Sequence, residues 1–154
     1  MGVLIYLLHS GIVDESGGSP QDRELSRDGV MQSRAMVRKF RVYAPQVDMA
    51  LISLYRSAKQ TSEAPALSFP SIHFEVSELL APDADVYAVM DAVENFDVQQ
   101  LLMIGHKPLL PLLLSVMVDG TADSSRSIGY STLVCVEMDF IAPGCGEIKY
   151  TMEP

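Results

Sequence analysis

Apolar positions along the chain occur in two patterns, short unbroken runs and segments with an apolar residue every third or fourth place. Val3 to Leu8 is the first unbroken run and predicts a buried strand. Leu25-Ser26 then reads as a staple residue and N-cap, and Val30, Met36, Val37 and Phe40 give a helical apolar face running to about Val42. Val47–Ser53 is a second strand, followed by a helix from about Ser57 that Pro65 should stop, and by a short strand at Ile72–Val76. Asp83 or Asp85 caps a helix carrying Val86, Val89, Met90 and Val93; Gln100–Ile104 is the next strand. Pro108 fits the first turn of a helix over Leu109–Val118, and Thr132–Met138 and Gly146–Met152 close the chain as strands. Strands alternating with helices predict a three-layer α/β/α sandwich with a mainly parallel sheet, the two closing strands forming an antiparallel edge.

Composition narrows the classes that remain. The chain of 154 residues, 48% hydrophobic, is sized for a single domain spanning 1–154 with its own core. A formal charge of -9 repels nucleic-acid backbones and anionic membrane surfaces, so neither is an expected partner. Met1–Leu8 lacks a basic n-region, and the apolar stretch Leu101–Val118 is interrupted by Gly105, His106, Lys107, Pro108 and Pro111. Neither a signal peptide nor a membrane span is expected, which points to a cytoplasmic protein. Cys135 and Cys145 have no metal-ligand spacing and read as two free, mostly inert thiols; no metal or cofactor is called for.

In open α/β sheets the chemistry sits just past the carboxyl ends of the strands. Leu8-His9-Ser10-Gly11 follows the first strand, Ser53-Leu54-Tyr55-Arg56-Ser57 the second, and Gly105-His106-Lys107-Pro108 the fourth. Two histidines, His9 and His106, therefore arrive at one sheet edge. His73 lies inside a short strand and reads as a surface residue. The polar, Gly-rich stretch Ser10–Glu24 reads as a long loop beside that edge.

Four segments, in order and at matching separations over nearly the whole chain, resemble those of the histidine phosphatase superfamily, also described as phosphoglycerate mutase-like. They are Leu8-His9-Ser10, Arg23-Glu24-Leu25-Ser26-Arg27-Asp28-Gly29, Ser53 through Thr61, and Gly105-His106-Lys107-Pro108. Within the superfamily the match is with the small SixA-type phosphohistidine phosphatases. The resemblance implies that His9 is a nucleophile that takes up phosphate and passes it to water, with His106 holding the transferring group. Arg56, Ser57, Arg23 and Ser10 are the implied phosphate-binding residues. It also implies a phosphorylated signalling protein as partner, such as a histidine phosphotransfer domain, and no cofactor.

The pattern is broken at both of the family's arginines. Leu8 stands beside the nucleophile where the family has arginine, and Ser57 holds the register of the second, with Arg56 one residue early. Loss of a positioned cation in phosphoryl transfer costs on the order of 10³- to 10⁵-fold in rate. The alternative is therefore a degenerate member that binds phosphate or a phosphoprotein without efficient turnover. A receiver-like or flavodoxin-like module is disfavoured, because no acidic cluster follows the first strand and the chain has no Trp.

Overall fold

The computed structural model describes residues 2–44, 46–123 and 126–154. Six strands, β1 (Val3–His9), β2 (Met49–Ile52), β3 (His73–Val76), β4 (Gln100–Gly105), β5 (Leu133–Met138) and β6 (Gly146–Met152), form one sheet in the order β3-β2-β4-β1-β5-β6. β3, β2, β4 and β1 run parallel, whereas β5 is antiparallel to both β1 and β6. The sandwich and its antiparallel closing edge follow the sequence pattern.

Alternation along the strands creates two cores. Ile5 and Leu7 of β1, Leu101 and Met103 of β4, and Val134 and Val136 of β5 face one way, where they meet α4 (Val86–Glu94) and α5 (Leu109–Asp119). Tyr6 and Leu8, Leu102 and Ile104, and Leu133 and Cys135 face the other way. There they pack under α1 (Arg27–Tyr43), with α2 (Arg56–Thr61) and α3 (Glu63–Ser68) completing that layer. The central strands are buried on both faces, which is why they read as unbroken apolar runs. Cys135 lies in the second core, and burial pushes its thiol up to about 11; Cys145 is exposed.

The helix boundaries follow local chemistry. The Ser26 hydroxyl accepts from the Gly29 N–H at 3.0 Å and starts α1, and the Asp85 carboxylate accepts from the Tyr87 N–H at 2.9 Å and starts α4. α5 ends at Gly120, whose φ of 82° is left-handed and lets its N–H reach the Val116 carbonyl at 3.1 Å. Pro65 does not stop a helix as expected. α2 ends at Thr61, and Pro65 sits in the first turn of the separate α3, where its missing N–H has no intrahelical partner to lose. Pro108 is the N-cap of α5 rather than its first turn, after a cis Lys107–Pro108 bond. Among the described residues no helix is long and apolar enough to cross a membrane.

Candidate active site

The parallel order puts the carboxyl ends of β1, β2 and β4 side by side. His9 pairs in register with Gly105, and Ile52 with Ile104, so Ser10, Ser53 and His106 are the first residues past their strands at one edge. His9 is buried, with its Nδ1 2.8 Å from the Ser10 carbonyl oxygen. A carbonyl only accepts, so Nδ1 carries the proton and Nε2 the lone pair. That lone pair accepts from the Lys107 backbone N–H at 3.2 Å. Burial lowers the pKa of His9, the hydrogen bond to the Ser10 carbonyl opposes this and the Lys107 charge adds to it, so the balance favours the neutral ring.

His106 is held between two hydroxyls, with Nδ1 2.9 Å from Ser10 Oγ and Nε2 3.0 Å from Ser53 Oγ. Burial, then the proximity of His9, pushes its pKa down to about 4. The neutral ring has one N–H and one lone pair, so one serine accepts from it and the other donates. The His9 and His106 ring centres are 6.5 Å apart and nearly perpendicular, at 86°. Tyr130 stands edge-on to His9 at 5.1 Å, and Tyr55 lies 4.9 Å from His106.

His9, Ser10, His106, Tyr55 and Tyr130, with Ser53 buried behind them, line an open cavity of about 280 Å³, closed on its other sides by Val13, Pro20, Arg23 and Pro82. Its floor is fixed by the α2 segment. Thr61 Oγ1 accepts from the Gly11 N–H at 3.1 Å while its own hydroxyl donates to the Ser57 carbonyl at 2.7 Å. Gln60 Oε1 accepts from the Leu25 N–H at 2.6 Å. On α1, a Cβ at Gly29 would strike the Ile12 carbonyl, so only glycine lets the loop after β1 lie this close to the helix.

Of the residues singled out from sequence, His9, Ser10, Arg23, Ser57, His106 and Lys107 all line the cavity. Arg56 is not among its lining residues; its guanidinium pairs with Glu24 at 2.8 Å on the exposed surface. Leu8 is 1% exposed and packs in the core beneath α1, on the opposite face of β1 from His9. The cations lining the cavity are thus Arg23, whose Nε donates to the Gly18 carbonyl at 3.4 Å, and Lys107, whose Nζ lies 5.4 Å from the Tyr130 ring centre. Sequence reasoning missed Tyr55, Tyr130, Thr61 and Gln60. Tyr55 follows β2 closely enough to have been found by position, whereas Tyr130 reaches the site only because β5 lies beside β1.

A doubly buried α/β sheet with two histidines at the ends of adjacent parallel strands defines the class. This is the fold of the histidine phosphatases, the phosphoglycerate mutase-like superfamily. In sequence the chain is similar to the phosphohistidine phosphatase SixA of Escherichia coli (strain K12), 26% identical over 155 residues that span 97% of this chain and 93% of that protein. The protein histidine phosphatase SixA, solved in complex with tungstate, superposes with a TM-score of 0.87 at 25% identity over 99% of this chain and 97% of that one. A phosphoserine phosphatase of Entamoeba histolytica bound to 3-phosphoglyceric acid shares the fold alone, with a TM-score of 0.72 at 10% identity over 99% and 98% of the two chains. No family model matches the sequence.

Proposed function

We propose that the protein is a phosphohydrolase that removes phosphate from a phosphohistidine on a partner protein, with His9 as the nucleophile. The observation that carries this reading is the His9 ring itself. Its Nδ1 proton is committed to the Ser10 carbonyl, its Nε2 lone pair is retained, and its pKa is lowered, all beside a second neutral histidine. The SixA homology and the phosphate-like shape of tungstate support the same substrate class.

In this scheme Nε2 of His9 attacks phosphorus, and the P–N bond of the substrate breaks. The electron pair leaves with the substrate imidazole, which takes a proton from solvent. Forming the new P–N bond uses the Nε2 lone pair, so the Lys107 N–H that it held is released toward a phosphoryl oxygen. Water then attacks phosphorus, loses its proton to solvent, and frees inorganic phosphate and His9. The Ser10 hydroxyl, His106, Arg23 and Lys107, which line the cavity, meet the charge on the phosphoryl oxygens, while the buried Ser53 hydroxyl holds His106 from behind. An imidazole leaving group asks for little acid help, which suits a site without a carboxylic acid on its wall. Phosphohistidine hydrolysis with a transient, acid-labile phosphate on His9, both abolished in His9→Ala, is the expected result; turnover that survives His9→Ala overturns the reading.

A second reading is favoured by Leu8 and Arg56, which leave the cavity without either family arginine. In it the same cavity binds phosphate or a phosphoprotein and turnover is negligible. Phosphate binding by calorimetry without a single-turnover burst of product would select it.

A further inference from the structure

The protein is acidic, yet α1 is not. This one helix carries Arg27, Arg34, Arg38, Lys39 and Arg41, five of the chain's 11 Lys and Arg, against a single acid, Asp28. Arg27, Arg34, Arg38 and Arg41 recur at spacings of seven, four and three, which puts them in one line of about 21 Å along the solvent face. All four are exposed, and among the described residues no carboxylate pairs with any of them. Arg38 instead donates to the Arg34 carbonyl at 3.5 Å, and Arg41 lies over the Phe69 ring at 5.4 Å. Like charges three and four apart destabilise a helix, and only Arg41, in the last turn and over Phe69, has a folding reason for its place in the line.

Beside it runs a groove of about 330 Å³ between α1 and α3. Val30, Val37, Ala64 and Leu67 supply its apolar wall, Arg34 and Arg38 its rim, and Glu63 the one acid on it. Leu67 is 85% exposed. The groove adjoins the candidate site through α2, where Ser57 lines the site and Gln60, one turn later, lines the groove.

We propose that the α1–α3 groove and its arginine line dock an acidic, amphipathic helix of the phosphoprotein substrate, holding it within reach of His9. That the docked protein is the substrate rests on the function proposed above; the docking itself does not. Four unpaired guanidinium groups ask for carboxylates, and the apolar wall asks for aliphatic side chains at helical spacing, as in a helix laid in a groove. A nucleic acid supplies no aliphatic anchor. The apolar face of α1 is committed to the core, and the large apolar side chains the helix does expose, Met31 near one end and Val42 and Tyr43 at the other, are separated by the arginines and form no continuous face to insert into a lipid surface.

The probe is a Glu-rich helical peptide with leucines at i, i+3 and i+7 and one histidine phosphorylated by phosphoramidate, compared with free phosphohistidine. Wild-type protein should favour the peptide by about tenfold or more in kcat/KM, and the preference should fall with salt. Arg34→Glu with Arg38→Glu should erase the preference, leave free phosphohistidine hydrolysis unchanged, and confer a preference for the matching Lys-rich peptide. Leu67→Asp should weaken the peptide alone. An equal preference in wild type and the charge-reversed variant overturns the proposal, as does binding to phosphatidylserine vesicles or duplex DNA in place of the peptide. If neither substrate turns over, the phosphatase reading fails. Fluorescence anisotropy of the unphosphorylated peptide then decides docking, by whether its binding is lost in the charge-reversed variant.

Discussion

The guanidinium of Arg56 lies 2.8 Å from the Glu24 carboxylate, on the surface rather than in the cavity wall beside Ser57. Both partners are more than half exposed, so the pair contributes only about 0–1 kcal/mol to stability. Arg56→Ala should therefore change kcat/KM for a small phosphohistidine substrate by less than about threefold. A phosphate-clamping arginine would cost on the order of 10³-fold or more. Measured kinetics of that variant decide which role Arg56 has.

The two broken family positions should respond oppositely to restoration. Ser57 faces the cavity, so Ser57→Arg has open space for its side chain and should raise phosphate affinity and turnover. Leu8 sits between Ile104 and Leu133 in the sheet and faces a sealed core. Leu8→Arg should destabilise the fold by roughly 3 kcal/mol or more, because a charge would be buried there without a partner. Thermal denaturation and phosphate titration of the two variants separate these outcomes; a Leu8→Arg protein as stable as wild type would show that the strand edge opens more readily than its packing implies.

The lowered pKa of His106 has a consequence for acid stability. An unfolded histidine takes up its proton near pH 6.5, whereas folded His106 does so only near 4, so between these values the unfolded chain binds more protons. Stability from this group is complete above about pH 6.5 and is lost as pH falls toward 4, by roughly 3 kcal/mol in total. Denaturant unfolding across that range should show a shallower loss in His106→Gln than in wild type. Identical slopes would mean that the ring is not held neutral by its surroundings.

Thr61 acts on the site without touching the cavity. Thr61→Val keeps the shape but leaves the buried Gly11 N–H without its acceptor, which costs about 1–3 kcal/mol. Because that N–H anchors the turn holding Ser10, the variant should lose phosphate affinity as well as stability, whereas Thr61→Ser should retain both. A Thr61→Val protein with full phosphate affinity would remove Thr61 from the positioning of the site.

Most of the architecture was legible locally. β1, β4 and β5 are buried on both faces and so read as apolar runs, and the Ser26 and Asp85 caps mark helix starts through contacts within three residues. His9 and His106 were legible for the same reason: each sits at the end of a strand whose place in the chain the pattern determines, and a shared sheet edge brings them together. The α2–α3 break was not legible, because a proline inside a helix-compatible segment looks the same whether it ends one helix or opens another.

What tertiary structure alone decided are the relations that cross between elements. The sheet order sets Ser53 and Ser10 on opposite sides of His106, 3.0 and 2.9 Å away, although 53 and 96 residues separate them in the chain. It brings Tyr130 to His9 through an antiparallel neighbour that no local pattern announces. Packing of the helices on the sheet also seals Leu8 in the core and leaves Ser57 on the cavity wall, so that the two broken motif positions have different physical fates. Hydrophobic period and capping act over a few residues and are written in the sequence itself. What a side chain at a strand end meets depends on which strands and helices lie beside it, and that is settled only when the sheet forms.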